Sequence, residues 1–114
     1  MENCLFCKII SGEIPSTKVY EDENTYAFRD VNPMAPVHVL VVPKTHVTSV
    51  AEIDQLPDEV IAACLRACKK VACLEGVDKT GFRVVSNCGS DACQSVPHLH
   101  FHVLGGKAMA DKMA

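Results

Sequence analysis

No apolar run in this chain is long enough to cross a bilayer, and no block of basic residues is present to grip a phosphate backbone. Apolar stretches such as Val37 to Val42 fall far short of the roughly 20 residues that a spanning helix needs. Lys8, Lys18, Lys44, Lys69, Lys70, Lys79 and Lys107 are scattered, and 11 basic against 14 acidic residues leave a net charge of -3. That balance argues against nucleic acid or a membrane as a partner. The start, Met1-Glu2-Asn3-Cys4, has no basic region followed by an apolar stretch, so no signal peptide is read. Internal repeats, linkers and low-complexity tracts are absent as well. The expectation is a single domain over residues 1–114, in the cytoplasm and compatible with entry to the nucleus. A domain of this length buries roughly two thirds of the surface of its unfolded chain, so it needs no staples.

A disulfide framework is missing too. Seven cysteines are an odd number, and without a secretion signal they point to free thiols in a reducing compartment. Cys64, Cys68 and Cys73 fall in a helical stretch, where free cysteine acts as a small apolar residue. Cys4-Leu5-Phe6-Cys7 differs, because its spacing is that of half a tetrahedral zinc site. A redox-active pair is the alternative, but it expects a preceding strand and a parallel βαβ unit, and neither is read here.

What is present reads as an α+β fold. Cys4 to Ile10 forms a short helix stopped by Gly12, with Pro15 beyond. Two β-rich runs, 18–21 and 25–29, flank the polar turn Glu21-Asp22-Glu23-Asn24. Val37 to Val42, nearly continuous in β-branched residues, suits a central strand covered on both faces. One long helix spans 57–75, with Pro57, Asp58 and Glu59 at its start and Gly76 at its stop. Its Val60, Ile61, Cys64, Cys68, Val71 and Ala72 make one apolar stripe for a sheet. Strands over 81–87 and 98–104 follow, separated by a loop of small and polar residues, 87–95. Runs of strands around one helix give an antiparallel sheet.

The most informative stretch is His98-Leu99-His100-Phe101-His102-Val103-Leu104. Side chains alternate along a strand, so the three histidines line one face, about 6.7 Å apart, and Leu99, Phe101 and Val103 line the other. Groups that titrate near neutrality in such a row suit a nucleophile, an acid–base pair or a metal site. The loop before them can converge backbone N–H groups on an anion, and a neutral imidazole attacks phosphorus well. His38, set among Val37, Val39, Leu40 and Val41, reads by itself as a satisfied core histidine.

His98-x-His100-x-His102 followed by two apolar residues and preceded by Gln94-Ser95 resembles the histidine triad motif. The likeness to the Hint-type branch, purine-nucleoside phosphoramidate hydrolases, runs through most of the chain. It takes in Asp30-Val31-Asn32-Pro33-x-Ala35-Pro36-x-His38, Pro43-Lys44-x-His46, Asn87-x-Gly89-Ser90-Asp91 and Gly105-Gly106. The resemblance implies an antiparallel sheet that joins its copy in a homodimer, and an AMP- or GMP-class purine nucleotide as ligand. It implies hydrolysis of a nucleoside 5′-phosphoramidate, with His100 as the nucleophile that becomes nucleotidylated. His102, Cys93 and the backbone around Gln94 and Ser95 would hold the phosphate, with the Ser95 hydroxyl near the leaving group. Asp30 would take the ribose hydroxyls, although an aspartate there also caps the turn before Pro33. Val31 would flank the base, Asn87 would sit near ribose or phosphate unless it serves only the turn, and His38 would join the histidine relay. Members with Cys-x-x-Cys at this point resemble a zinc pattern, whose ligands here would be Cys4, Cys7, His46 and His98.

The pattern departs from the branch at Cys93, where Hint-type loops carry glycine, and in the tail 107–114, which holds no tryptophan. Two alternatives stay open. One is a nucleotide-binding protein with negligible turnover, and the other is cleavage of dinucleoside polyphosphates, against which Gly105-Gly106 counts.

Overall fold

The computed structural model describes residues 3–114; Met1 and Glu2, which enter the signal-peptide reading, lie outside the described residues. Helix α1 (Leu5–Ile10) begins where the Cys4 sulfur accepts the Cys7 N–H and ends in Gly12, whose φ is +83°. Strands β1 (Lys18–Glu21) and β2 (Thr25–Arg29) form a hairpin. Asp22 closes its turn by accepting the N–H groups of Asn24 and Thr25, each at 2.8 Å. Strand β3 (Val37–Pro43) follows, then a 3-10 segment, helix α2 (Asp58–Leu74), β4 (Phe82–Val85) and β5 (Phe101–Gly105). Together they make a five-stranded antiparallel sheet in the order β1-β2-β3-β5-β4, which puts β3 at the centre.

Alternation along β3 sorts the two faces. Val39 and Val41 meet Leu99, Phe101, Val103 and the apolar stripe of α2 on one side. Leu40 and Val42 meet Cys4, Phe6, Ile9 and Phe28 on the other, beneath α1. The histidines share this second face. Register pairs Leu40 with His102 and His38 with Leu104, which makes His38 and His102 diagonal neighbours on one surface.

Two strands are shorter than their sequence suggests. β5 starts at Phe101, not His98, because the preceding residues bond elsewhere: the His98 N–H donates to Val96 O and the Leu99 N–H to Val47 O. β4 stops at Val85, which is paired with His102 at the start of β5. The glycine pair also has a packing reason. A Cβ on Gly105 would come within 2.9 Å of Val77, and Gly106 holds φ +90° against Pro36. Among the described residues no helix is long and apolar enough to cross a membrane.

Candidate active site and metal centre

Two clusters of ligand-type side chains lie on the α1 face, and the proton positions separate their chemistry. In the first, Cys4, Cys7, His46 and His98 bring one ligand atom each within 4.8 Å of all the others. His98 Nδ1 lies 3.3 Å from Cys4 Sγ, 3.5 Å from Cys7 Sγ and 3.0 Å from His46 Nδ1; Cys7 Sγ is 3.4 Å from His46 Nδ1. His98 Nε2–H donates to the Pro43 carbonyl at 2.9 Å. A carbonyl only accepts, so Nδ1 is left as a bare lone pair facing the sulfurs. Burial holds His98 neutral, with its pKa lowered to about 4. Burial and the adjacent Cys4 push the Cys7 thiol up to about 11, so two thiolates side by side call for a cation between them. Two sulfurs and two imidazole nitrogens at tetrahedral-edge spacing are a donor set that can hold a metal.

The second cluster is Asp30, His38 and His102. Here the Met34 N–H donates to His38 Nδ1 at 3.0 Å, so His38 must carry its proton on Nε2. Nε2–H then donates to His102 Nδ1 at 2.8 Å, with Asp30 Oδ2 at 3.4 Å. The nitrogen that a metal would need is the one that bears the proton. This is a proton chain and not a cation site. Burial lowers the pKa of His38 although Asp30 opposes it, and burial with His100 and His38 lowers that of His102 to about 4.

His100 is buried between these clusters. Its Nδ1–H donates to the His98 carbonyl at 2.7 Å, which leaves the lone pair on Nε2. Its ring stands edge-on to that of His102 with centroids 5.1 Å apart.

A cavity of about 800 Å³ opens beside His102. Asp30, Val31, Ser95 and His102 line it, facing an apolar wall that includes Phe6, Ile9, Phe28 and Leu40. Asp30 Oδ1 accepts the Asn32 N–H at 2.8 Å while Oδ2 turns to His38, so one carboxylate both caps the turn and faces the histidine pair. Gln94 is fully engaged in holding the loop. Its Oε1 accepts the Gly89 N–H, its Nε2 donates to Thr48 O and Val96 O, and its own N–H donates to Gly89 O. Cys93 is exposed at φ +61°, the only non-glycine with positive φ among the described residues. Of the expected site residues, His38, His100, Asn87, Cys93 and Gln94 do not line the cavity, and His100 sits behind His102 and Phe6. The apolar wall from α1 and the backbone partners Met34, Pro43 and Thr48 were not foreseen. Leu5, Phe6 and Ile9 beside the cysteine pair signal such a wall, whereas backbone partners leave no residue signature.

The HIT domain model matches residues 11–109. The chain belongs to the HIT family. Its HIT domain is similar to the solved structure of a HIT family hydrolase from Clostridium thermocellum Cth-393, at 47% identity and a TM-score of 0.96, covering 100% of this chain and 99% of that one. A histidine triad protein from Clostridium difficile is similar at 50% identity and a TM-score of 0.90, with 98% and 97% covered. Among curated HIT relatives, the 14 kDa zinc-binding protein of Zea mays is 49% identical over 107 residues, spanning 92% of this chain and 83% of the relative. The Arabidopsis thaliana protein named Adenylylsulfatase HINT1 is 44% identical over 107 residues, spanning 92% and 72%.

Proposed function

We propose that this HIT protein hydrolyses purine nucleoside 5′-phosphoramidates of the AMP–amine type through a nucleotidyl–His100 intermediate. The observation that carries the reading is the 2.7 Å bond from His100 Nδ1–H to the His98 carbonyl. It fixes the tautomer whose Nε2 lone pair can attack phosphorus, and it shares the positive charge that the ring gains on attack. Nε2 attacks the α-phosphorus, the P–N bond breaks, and the leaving amine takes a proton from solvent relayed through the Ser95 hydroxyl, which stays neutral. Water then displaces His100 and frees the nucleoside monophosphate. His102, with Nδ1 filled by the His38 proton, presents Nε2–H to a phosphate oxygen. Asp30 takes the ribose hydroxyls, and the apolar wall takes the base beside Val31.

Cys4, Cys7, His46 and His98 hold a zinc ion in this reading, which two relatives named zinc-binding proteins support. Held there, the ion would tie α1 to the segment 98–100 that leads into β5 and carries His100, and its role would be structural. The working unit is a homodimer, because Phe82 and Val84 leave an outer strand partly exposed and apolar. Sedimentation at micromolar concentration near the mass of one chain would rule the dimer out.

A relative named for adenylylsulfatase activity favours a second substrate, adenylyl sulfate, cleaved by the same step with sulfate leaving. Turnover of AMP-amidate, adenylyl sulfate and a diadenosine polyphosphate should be compared in wild type and His100→Ala. Preference for the amidate, lost in the variant, is expected. Tight AMP binding with no turnover of any substrate would instead make the protein a nucleotide-binding module.

A further inference from the structure

Phe6 lies between the two metal-type cysteines, and its ring touches the histidine row. It is 4% exposed. Its centroid is 5.1 Å from that of His100 at 88°, 5.9 Å from His98 at 68°, and 5.4 Å from Phe28 at 72°. All three are edge-to-face contacts. His100 therefore stands in a slot, with the His102 ring at 5.1 Å and 67° as its other aromatic neighbour. One hydrogen bond, at Nδ1, holds the imidazole at a single point. A ring held at one point can still tilt about it, and a tilt carries Nε2 away from the line of attack.

We infer that Phe6 is a positioning residue for the reaction: its ring fixes the orientation of the His100 imidazole. The inference rests on the reading of His100 as the nucleophile. Displacing a reacting atom by about 1 Å can cost roughly a hundredfold in rate. Removing the ring opens space beside His100 of a size that permits such a tilt. The placement of Phe6 follows from α1, because Cys4 and Cys7 anchor the helix on either side of it. Phe6 also lines the cavity, so a wall role has to be separated from a positioning role. Leu5 provides the comparison. It lines the same cavity from the same helix, and among the described residues no aromatic or hydrogen-bonded side-chain contact to a histidine involves it.

The test compares wild type, Phe6→Met, Phe6→Leu and Leu5→Ala as metal-loaded full chains. AMP affinity, metal per chain and single-turnover rate at saturating AMP-amidate are measured for each. Expected for both Phe6 variants is a saturated rate about ten- to a hundredfold below wild type, a larger factor than any loss of AMP affinity, with metal retained. Leu5→Ala, which alters the wall alone, should weaken AMP binding by a larger factor than it lowers the saturated rate. Phe6→Met keeps bulk without a ring and guards against a folding defect in Phe6→Leu. A saturated rate for folded Phe6→Met within about twofold of wild type overturns the inference, even if AMP affinity falls. A wild type that turns over no faster than His100→Ala overturns the functional reading itself, which is a separate result.

Discussion

His38 Nε2 lies 2.8 Å from His102 Nδ1, and the Met34 amide on the far side of His38 settles which of the two carries the proton. One backbone N–H thus fixes two tautomers in series and leaves His102 with a donor on its other nitrogen. The adjacent cluster is governed in the same way, with the Pro43 carbonyl turning His98 Nδ1 toward the sulfurs. Similar side chains form a hydrogen-bonded chain in one place and a donor set able to hold a metal in the other because different backbone atoms hold them.

Breaking that series has a measurable consequence. His38→Ala leaves His102 Nδ1 without its donor, so His102 can carry its proton on the wrong nitrogen. Turnover at pH 7 should fall on the order of ten- to a hundredfold with AMP affinity nearly unchanged. Steady-state kinetics beside AMP titration checks this.

Acid should weaken the fold through the same residue. Burial lowers the His102 pKa from 6.5 to about 4, so between those values the unfolded chain binds the proton that the folded chain refuses. Stability is then fully present above pH 6.5 and is lost as pH falls toward about 4. Thermal unfolding across this window should give a falling Tm. His102→Asn should flatten the slope.

Metal removal should destabilise the whole domain, because the unfolded chain has no preformed site. Protein purified without chelator should hold about one zinc per chain, and Cys4→Ser or Cys7→Ser should lose it. A ligand in hundredfold excess over its Kd stabilises by about 2.7 kcal/mol, which for a domain of this size is about 10 °C or more in Tm. Elemental analysis and melting curves with and without chelator check it. No zinc, with both thiols freely alkylated in the folded protein, would contradict it.

Cys93 stores strain that a substitution can release. A side chain at φ +61° and ψ +37° is in the left-handed region, where glycine rests without cost and other residues lose about 1–2 kcal/mol. Glycine gives back about 0.4–1 kcal/mol through the freer unfolded chain. Cys93→Gly should therefore stabilise by up to about 1.6 kcal/mol, while β-branched Cys93→Val should destabilise. Their order in Tm is the check.

Much of this architecture was legible in the residues. The stripe Val60, Cys64, Cys68, Val71 announced a helix on a sheet, and the alternation at 98–104 put the histidines opposite Leu99, Phe101 and Val103, as found. Pro57 and Gly76 bracketed α2 to within a residue or two. The 3-10 segment Val50–Gln55 went unread, although Ser49 caps it and Glu52 reaches back to Thr48, a capping pattern visible in the sequence. The strand start at Phe101 was not legible, because it depends on the Leu99 N–H finding Val47 O. The tautomers were hidden for the same reason, since Met34 and Pro43 act through backbone atoms that any residue carries.

The central claim is that His100 Nε2 takes the nucleotide. The direct measurement is a millisecond acid-free quench of protein with a purine nucleoside phosphoramidate, followed by mass analysis of the intact chain and its peptides. The account predicts a transient mass increase of one nucleotidyl group on the peptide holding His100, absent in His100→Ala, and decaying at the rate of nucleoside monophosphate release. Full turnover in His100→Ala, or a nucleotidyl group carried on any other residue, would contradict it.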